Sequence, residues 1–268
     1  MDKPFFMNIL ILLCNRLSKL LGHITKGLSY IFHYFWPNKR FTIPKQQDPI
    51  WPSRNNKKIP RIIWQTNFTD KATLPVYLNF LFNRLMSLSY EYRFLTTQDR
   101  ADFIAENFPG KINDYYQQLT VGASQADLWR LLTLKKHGGI YMDIDAHFVW
   151  PAALLIKDDY RDLYVRIKGD RFTNYFIASS PQNPIIDEVI QVILDNIDKK
   201  EHTSVYDLTG PDAFDRVLRP LSPNSRFYRY TCVQGSFTNE HFQYIDKAEG
   251  KWTHAKVEDL LKKDDDKA

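Results

Sequence analysis

Cysteine is scarce in this chain of 268 residues, which contains only Cys14 and Cys232. The two share no C-x-x-C or metal-type spacing, so the sequence does not support a disulfide framework and favours a reducing compartment. Aromatic residues are plentiful by contrast, at 15%, within a hydrophobic content of 44%. This composition argues against disorder and is sufficient for one sizeable core.

A strong excess of charge is also missing, because the formal net charge is only +5. Lys and Arg are dispersed and form no stripe interleaved with aromatic residues, so no nucleic-acid partner is expected. Neither G-x-x-x-x-G-K nor G-x-G-x-x-G occurs, and the sequence therefore does not support a P-loop or dinucleotide-binding fold. A weak positive excess fits a nucleotide site or an anionic membrane surface.

The N-terminal apolar run is short. Residues 5–14 (FFMNILILLC) cover about half the length that spans a bilayer, and no clean signal cleavage site follows them. Leu and Ile then recur at helical spacing, with Arg16, Lys19 and Lys26 among them. This pattern predicts that residues 1–36 form an amphipathic segment on a membrane surface. A helix packed on the following domain and a short uncleaved anchor are the alternatives.

Composition divides the rest of the chain into three parts. Residues 37–58 carry prolines, asparagines and positive charge without periodicity, which indicates a linker. A folded domain is expected over residues 59–255. Residues 256–268 are expected to form a charged, frayed tail.

Strand-like and helix-like patterns alternate along the domain. Strands are predicted at 61–66, 91–95, 140–144, 163–167, 175–178 and 227–233, and helices at 75–88, 97–107, 123–136, 185–197 and 211–218, with a helix or turn at 112–119. The alternation predicts an α/β sandwich with a mostly parallel sheet. Ligands of such sheets bind at the carboxyl ends of the strands.

The most informative segment is residues 123–149 (ASQADLWRLLTLKKHGGIYMDIDAHFV). A predicted apolar strand there ends in Asp143-Ile144-Asp145. Residues two apart in an extended strand face the same side, so both carboxylates are expected to converge while Ile144 faces the core. Paired carboxylates suit Mg²⁺ or Mn²⁺. Substrate phosphates and water then complete the coordination shell of the ion. We therefore predict that Asp143 and Asp145 hold a divalent metal ion.

Two polar residues stand on the helix before this strand. Asp127 and Arg130 are three positions apart and share a helix face, and the leucines around them imply that the helix is largely buried. An arginine at this place can make bidentate contacts with a diphosphate, and an aspartate can accept from ribose hydroxyls. An ordinary surface ion pair is the alternative.

The array A-x-x-A-D-x-x-R followed by H-G-G-I-Y-x-D-I-D resembles the D-x-D signature of glycosyltransferase family 32. That family includes bacterial capsule and lipopolysaccharide sugar transferases and the yeast initiating mannosyltransferase, and the spacing is similar to that of the glucosylating clostridial toxins. Residues 59–66 (IPRIIWQT) are similar to the family's I-P-K-I-I-H-Q segment, with Trp64 in place of the usual His. Residues 174–178 (NYFIA) and 208–211 (LTGP) resemble its Asn-led strand and its T-G-P turn.

The resemblance implies a GT-A fold, a divalent metal cofactor (Mn²⁺ or Mg²⁺) and retention of the anomeric configuration. It implies that Asp145 binds the metal directly and that Asp143 binds ribose and a metal-bound water. It also implies that Asp127 and Arg130 contact the donor sugar and diphosphate. No residue stands out as a covalent nucleophile, which fits front-face attack.

Three further donor contacts are implied by the same resemblance. Trp64 would stack on the nucleotide base, Asn174 would touch the donor or acceptor, and Trp252 would belong to a lid that closes over the donor. A core tryptophan and a purely structural asparagine are the alternatives for the first two. Lys251 stands where the family has Ser, which departs from its lid pattern.

These features predict a metal-dependent retaining glycosyltransferase that moves a hexose or N-acetylhexosamine from a UDP- or GDP-linked donor to a saccharide or lipid-linked saccharide. The expected setting is cell-surface polysaccharide or lipopolysaccharide synthesis at the cytoplasmic face of the inner membrane, with a Golgi type II arrangement as the alternative. Two other functions stay open. One is a haloacid-dehalogenase-type phosphatase, although Ala146-His147 depart from its motif, and the other is an inactive membrane-bound scaffold.

Overall fold

The structure of this chain, a computed structural model, describes residues 3–53, 57–247 and 256–262. Its first element is one continuous helix, α1 (Lys3–Phe35), so the apolar run and the predicted amphipathic segment belong to the same helix. Pro37 follows shortly after its end and disfavours the helical conformation in the residue before it. One face of α1 is buried against the rest of the chain, as Ile11 and Ser29 show.

The predicted linker is partly integrated into the fold, which corrects the domain boundary at residue 59. Strands β1 (Phe41–Thr42) and β2 (Gln46–Gln47) lie within it, and Ile43 between them is 1% exposed. Strand β2 is an edge strand of the central sheet. Strands of two residues leave no alternating pattern in the sequence, so this segment resembled a linker.

Within the described residues, a seven-stranded mixed sheet forms the centre of the fold. Besides β2, its members are β3 (Ile62–Thr66), β5 (Glu91–Leu95), β6 (Gly139–Met142), β8 (Asp162–Arg166), β9 (Phe172–Ser179) and β10 (Ser225–Phe227). Their order is β10-β8-β9-β6-β3-β5-β2. Strand β9 runs antiparallel to β6 and β8, and β2 runs antiparallel to β5. The other five strands share one direction, which confirms the predicted mostly parallel sheet.

Helices cover the sheet, and two short antiparallel strand pairs lie beside it. The helices after α1 are α2 (Leu74–Met86), α3 (Thr97–Asn107), α4 (Lys111–Gln118), α5 (Gly122–His137), α6 (Ala152–Leu155), α7 (Pro184–Lys199), α8 (Val205–Leu208), α9 (Pro211–Leu221) and α10 (Glu240–Tyr244). The short pairs are β1 with β4 (Lys71–Ala72), and β7 (Ala146–Phe148) with β11 (Cys232–Gln234).

Alternate residues along the strands face two different hydrophobic cores. Tyr141 and Ile177 face a core that includes α5, α7 and α9. Ile140 and Met142 face a core that includes α2 and α6. Helices therefore pack on both faces of the sheet, and the predicted α/β sandwich is confirmed.

Two glycines provide the direct passage from α5 into β6. Gly138 has a φ of +64°, and a Cβ there would lie 2.7 Å from Pro181 Cδ. Gly139 has a φ of +106°, and its Cβ would lie 2.7 Å from the Ile62 carbonyl oxygen. Both positions therefore require glycine, and β6 begins as soon as the helix has ended.

The C-terminal region differs from the prediction in two places. The predicted strand at 227–233 is divided into β10, a 3₁₀ turn (Tyr228–Tyr230) and β11, because β11 pairs with β7 and not with the central sheet. Part of the predicted charged tail also packs on the domain. Leu260 is 3% exposed and belongs to the hydrophobic core that includes α5, α7 and α9. Leu119 forms a β-bridge with Leu261.

Candidate active site

A cavity of about 330 Å³ lies at the carboxyl ends of β3 and β6. The start of α5, the start of β9 and the segment from β11 to α10 also line it. The predicted site residues that it brings together are Asp127, Arg130, Asp143, Asp145 and Asn174. This is the place where α/β sheets bind ligands, and the volume suits a small molecule.

Asp143-Ile144-Asp145 lies in a turn and not at the end of an extended strand, which corrects the predicted geometry. Strand β6 ends at Met142, and the Ala146 N–H donates to the Asp143 carbonyl over 3.0 Å, so we call residues 143–146 the D-x-D turn. The carboxylates converge all the same. Gln234 Nε2 donates to Asp143 Oδ2 over 3.0 Å and to Asp145 Oδ1 over 3.2 Å. The turn, and not strand alternation, brings them together.

Amide side chains from two other elements hold the backbone of the D-x-D turn. Asn79 Nδ2 on α2 donates to the carbonyls of Ile144 and Ala146 over 2.8 and 3.0 Å. Gln65 Nε2 on β3 donates to the Asp143 carbonyl over 3.1 Å. Asn79 and Gln65 are fully buried. Sequence reasoning missed both, because a buried amide inside a predicted helix or strand belongs to no motif.

Asp127 and Arg130 form a buried ion pair. Arg130 Nη2 lies 2.8 Å from Asp127 Oδ1, and the two side chains are 7% and 8% exposed. Asn174 Nδ2 donates to Asp127 Oδ1, and Thr209 Oγ1 donates to Asp127 Oδ2, each over 3.0 Å. Arg130 Nη1 donates to the Asn174 carbonyl over 2.8 Å. Three separate motif segments of the sequence therefore meet in one hydrogen-bonded network.

Tyr141 connects this network to the D-x-D turn. The Arg130 guanidinium lies over the Tyr141 ring, 4.3 Å from its centroid. Tyr141 Oη donates to Asp143 Oδ1 over 2.6 Å, and Arg130 Nη1 lies 3.4 Å from the same oxygen. With Gln234 on its other oxygen, Asp143 is held in one orientation.

Burial raises the pKa of the three carboxyl groups at the cavity. Burial, followed by the charge of Asp143, raises the pKa of Asp145 to about 6. Burial also raises the pKa of Asp127 to about 6, although the Arg130 charge opposes it. The pKa of Asp143 rises for the same reason, again against Arg130. Two carboxylates that repel each other in this way gain from a cation between them.

The carboxylates of Asp143 and Asp145 fit a hard divalent cation. Across residues 3–53, 57–247 and 256–262, no group of three or more His, Cys, Asp or Glu side chains forms a closed protein site. Mg²⁺ and Mn²⁺ sites that also bind a phosphorylated substrate do not need one, because one or two carboxylates, substrate phosphates and water are sufficient. The site therefore suits a cation that binds together with a substrate.

Trp64 does not reach the cavity, which corrects its predicted contact with a nucleotide base. Its side chain packs in the core, and Nε1 donates to the Gly138 carbonyl over 2.9 Å. Its ring lies 5.6 Å from that of His137. These contacts are at the amino end of β6, whereas the D-x-D turn is at its carboxyl end. Trp252, the other predicted aromatic contact, lies outside the described residues, as does Lys251.

The C-terminal side of the cavity was not predicted. Gln234, Gln243, Tyr244 and Lys247 line it, and we call residues 234–247 the C-terminal wall. Burial, with the charges of Asp145 and Asp143, raises the pKa of Tyr244 to about 12. These four lining residues lie far along the chain from the D-x-D turn and belong to none of the predicted motifs, although His241 between them was one candidate for the family's C-terminal histidine.

A family model of known proteins matches part of this site. Residues 75–162 match a family model described as "Glycosyltransferase sugar-binding region containing DXD motif". The matched range includes α5, β6 and the D-x-D turn. The resemblance drawn from the sequence is therefore confirmed.

The chain is also similar to individual proteins. The initiation-specific alpha-1,6-mannosyltransferase of Schizosaccharomyces pombe is 28% identical over 183 residues, which cover 57% of this chain and 46% of that enzyme. Toxin Afp18 of Yersinia ruckeri is 31% identical over 122 residues, which cover 42% of this chain and 6% of the toxin. A solved PaToxG glycosyltransferase has a TM-score of 0.48 at 21% identity and covers 61% of this chain and 70% of its own. The chain spans less than half the length of these two curated relatives.

Proposed function

We propose that this chain, a glycosyltransferase with a DXD sugar-binding region, moves a hexose or N-acetylhexosamine from a nucleotide-sugar donor to a saccharide acceptor with Mn²⁺ or Mg²⁺ bound. One observation supports this most strongly. The carboxylates of Asp143 and Asp145 converge in a cavity beside the buried pair of Asp127 and Arg130. A cation site next to fixed polar groups is what a nucleoside diphosphate leaving group requires.

Asp145 and Asp143 would hold the divalent cation. When bound, the cation would neutralise charge on the departing diphosphate. Tyr141 and Gln234 orient the Asp143 carboxylate through its two oxygens. Asn79 holds the D-x-D turn by donating to the Ile144 carbonyl.

The Asp127 network would position the donor. Both Asp127 oxygens already accept from neighbouring side chains, so the carboxylate has one fixed orientation at the cavity. Arg130 is held by Asp127 and the Asn174 carbonyl, and its charge faces the D-x-D turn. These groups would bind sugar hydroxyls and the diphosphate without moving, which lowers the cost of reaching the reactive geometry.

Retention would proceed without a covalent sugar–enzyme intermediate. Asp127 is not free to attack, because Arg130, Asn174 and Thr209 engage its oxygens. The acceptor hydroxyl oxygen would instead bond to the anomeric carbon on the face from which the diphosphate oxygen leaves, and the hydroxyl proton would pass to that departing oxygen. Tyr141 and Gln234 donate to the two oxygens of Asp143, which argues against Asp143 as a phosphatase nucleophile.

The acceptor would be a saccharide or lipid-linked saccharide used in cell-surface polysaccharide or lipopolysaccharide synthesis. The protein would act as a peripheral protein at the cytoplasmic face of the inner membrane. Support for a membrane location comes from α1, whose large apolar side chains face outward. By length and composition α1 is also long and apolar enough to cross a membrane.

Donor turnover tests the proposed activity. The full chain is incubated with UDP- and GDP-linked hexoses and N-acetylhexosamines, with Mn²⁺, Mg²⁺ or EDTA, and free nucleoside diphosphate is measured. We expect release from a subset of donors that requires metal. Asp145→Asn should lower this release at least a hundredfold. Asp195→Asn, at an exposed carboxylate on α7, is the matched control and should leave it unchanged.

Two outcomes would reject the proposal. One is nucleoside diphosphate release that is equal in Asp145→Asn and wild type. The other is a folded wild-type chain that releases nothing from any donor but hydrolyses simple phosphate esters, which would support the phosphatase.

A further inference from the structure

Helix α1 is amphipathic, but its apolar face points outward and its more polar face is buried. Its buried stripe consists mainly of small or polar residues, namely Ile11, Asn15, Ser18, Gly22, Ser29 and His33. Six large aliphatic side chains face outward and are 51–65% exposed, namely Leu13, Leu17, Leu20, Ile24, Leu28 and Ile31. A surface helix in water normally shows the opposite arrangement. The outward face therefore suits an apolar medium.

Polar contacts hold the inner face of α1 along the domain. Asn15 Nδ2 donates to the Arg229 carbonyl over 2.6 Å, and the Leu74 N–H donates to His33 Nε2 over 3.1 Å. The buried stripe from Ile11 to His33 is about 33 Å long at 1.5 Å per residue, which is close to the thickness of a bilayer core. A helix that crossed a bilayer would have to give up these contacts or take the domain with it. The packed helix can instead lie flat in a bilayer surface.

The charge of α1 indicates which kind of surface it fits. The helix contains four Lys or Arg residues and no Asp or Glu, and among its described side chains Arg16 is exposed, whereas Lys19 and Lys26 also contact the domain. Tyr34, which is 82% exposed, is one of the aromatic residues at the end of the helix. Tyrosine is favoured at membrane interfaces. Basic residues beside an apolar face favour an anionic lipid surface over a second protein.

The inner face of the same helix contacts the C-terminal wall of the cavity. Lys26 Nζ donates to the Gly235 carbonyl over 3.0 Å. Tyr30 Oη accepts from Asn239 Nδ2 over 2.7 Å, and its ring lies 4.6 Å from that of Phe242. These contacts fall between Gln234 and Gln243, two wall residues that line the cavity.

Gly22 lets the backbone of α1 pack directly against the wall. A Cβ at this position would lie 2.9 Å from the Ser236 carbonyl carbon and 3.0 Å from Phe237. Ser236 is two residues from Gln234, whose amide spans the two carboxylates of the D-x-D turn. Gly27, on the same helix, has nothing within 4 Å of such a Cβ.

We propose that α1 docks flat on an anionic bilayer through its outward apolar face while its inward face holds the C-terminal wall against the D-x-D turn. The role of the wall in donor binding rests on the proposed function, whereas the docking and the support of the wall do not. Membrane docking and the order of the site are thereby linked through one helix.

Vesicle binding tests the outward face. The full chain is sedimented with vesicles of phosphatidylcholine alone or with phosphatidylglycerol. We expect binding that is stronger with phosphatidylglycerol and weakened at least tenfold by Leu17→Glu. Leu154→Glu on α6, which changes a leucine of similar exposure (63% against 65%), should bind as wild type does. Failure to bind either vesicle would overturn the docking, as would a dimer in solution that Leu17→Glu dissociates.

A matched glycine pair tests the inward face. Both Gly22→Ala and Gly27→Ala replace a glycine of α1, but only the first pushes on the wall. We expect Gly22→Ala to speed amide hydrogen exchange of residues 234–247 at least tenfold and to raise the KM for the donor, with Gly27→Ala unchanged. Equal exchange in the two variants would overturn the support of the wall.

Two further measurements keep the outcomes separate. If Gly22→Ala does not fold, Tyr30→Phe removes the acceptor for Asn239 with no added volume and should show the same exchange change. Vesicle binding and hydrogen exchange need no turnover. A chain that passes both tests but releases no nucleoside diphosphate would therefore refute the proposed activity and leave this inference standing.

Discussion

Asn79 holds the turn that carries the two carboxylates proposed to bind the metal, without lining the cavity itself. Its amide donates to two carbonyls of the D-x-D turn. In Asn79→Ala the Ile144 carbonyl loses this donor, whereas the Ala146 carbonyl keeps Asn83 Nδ2 at 2.8 Å, and the loss costs about 1–3 kcal/mol of stability. We expect the turn to loosen and the Mn²⁺ affinity measured with donor present to fall several-fold.

A control variant separates this effect from a general loss of stability. Asn183 caps α7 through the Ile185 N–H and is 4% exposed, away from the cavity. Asn183→Ala should lose about 1 kcal/mol of stability and keep the Mn²⁺ affinity. Equal affinity losses in the two variants would show that Asn79 has no specific role at the turn.

Two aspartates at the cavity should respond oppositely to truncation. Asp127→Ala leaves Arg130 buried without its carboxylate, so we expect a loss of about 3–5 kcal/mol in the free energy of unfolding. Asp145→Ala removes a charge that burial and Asp143 disfavour, so stability should stay level or rise. Chemical denaturation of both variants and the wild type at pH 7.5 without metal measures the change in the free energy of unfolding. A large loss in Asp145→Ala would mean that its carboxylate supports the fold.

Four of the predicted residues at the cavity, Asp127, Arg130, Asp143 and Asp145, could be found from the sequence because they sit in one short motif block, and Asn174 could be found because it begins a second motif. Gln234 and Asn79 could not, since they reach the turn from distant segments and carry no motif. Trp64 was misplaced for a related reason. Its position in a strand was predicted correctly. Which face of the sheet its side chain occupies depends on tertiary packing, and the side chain lies in the hydrophobic core that includes α5.

At the scale of elements, His33 makes the contact between α1 and α2 sensitive to acid. Burial, and then the charge of Arg40, lower its pKa below the usual 6.5, with His241 acting in the same direction and Asp246 opposing. The unfolded chain therefore takes up this proton first as the pH falls below 6.5. His33 contributes its full stability above that pH and loses it on acidification.

A variant without this titration checks the sign. His33→Gln keeps an acceptor for the Leu74 N–H but does not ionise. Between pH 7.5 and 5.0 the wild type should lose more free energy of unfolding than the variant, by up to about 1 kcal/mol. A loss of the same size in both would exclude His33 as the cause.

Element prediction succeeded where a pattern was long enough to repeat. The helix at residues 97–107 and the strand at 91–95 match α3 and β5. β7 and β11, of three residues each, pair with each other outside the central sheet, and only that pairing makes them strands. Such short strands depend on tertiary contacts and leave almost no local signal.

At the scale of the whole molecule, α1 and β2 belong to the folded unit. A chain that begins at Ile59 would lack both, which leaves the β5 edge unpaired and exposes the surface beneath α1. We expect it to unfold at lower denaturant concentration than the full chain, with a smaller m-value. A transition equal to that of the full chain would restore the predicted boundary at 59.

The α/β class could be predicted because alternating strands and helices leave few ways to bury both faces of a sheet. The reversal of β9 could not, because nothing local in Phe172–Ser179 distinguishes a parallel from an antiparallel neighbour. That reversal matters for the site, since it brings the start of β9, with Asn174, to the end of β6 that carries Asp143.

The most direct test of the central claim is thermal unfolding of the full chain with nucleoside diphosphate and Mn²⁺, each alone and together. A site built from two carboxylates and a substrate phosphate should be stabilised by the pair far more than by the sum of the two. The double variant Asp143→Asn/Asp145→Asn should lose this joint stabilisation and remain folded. Joint stabilisation that persists in the double variant would place the metal elsewhere and contradict the assignment of the D-x-D turn.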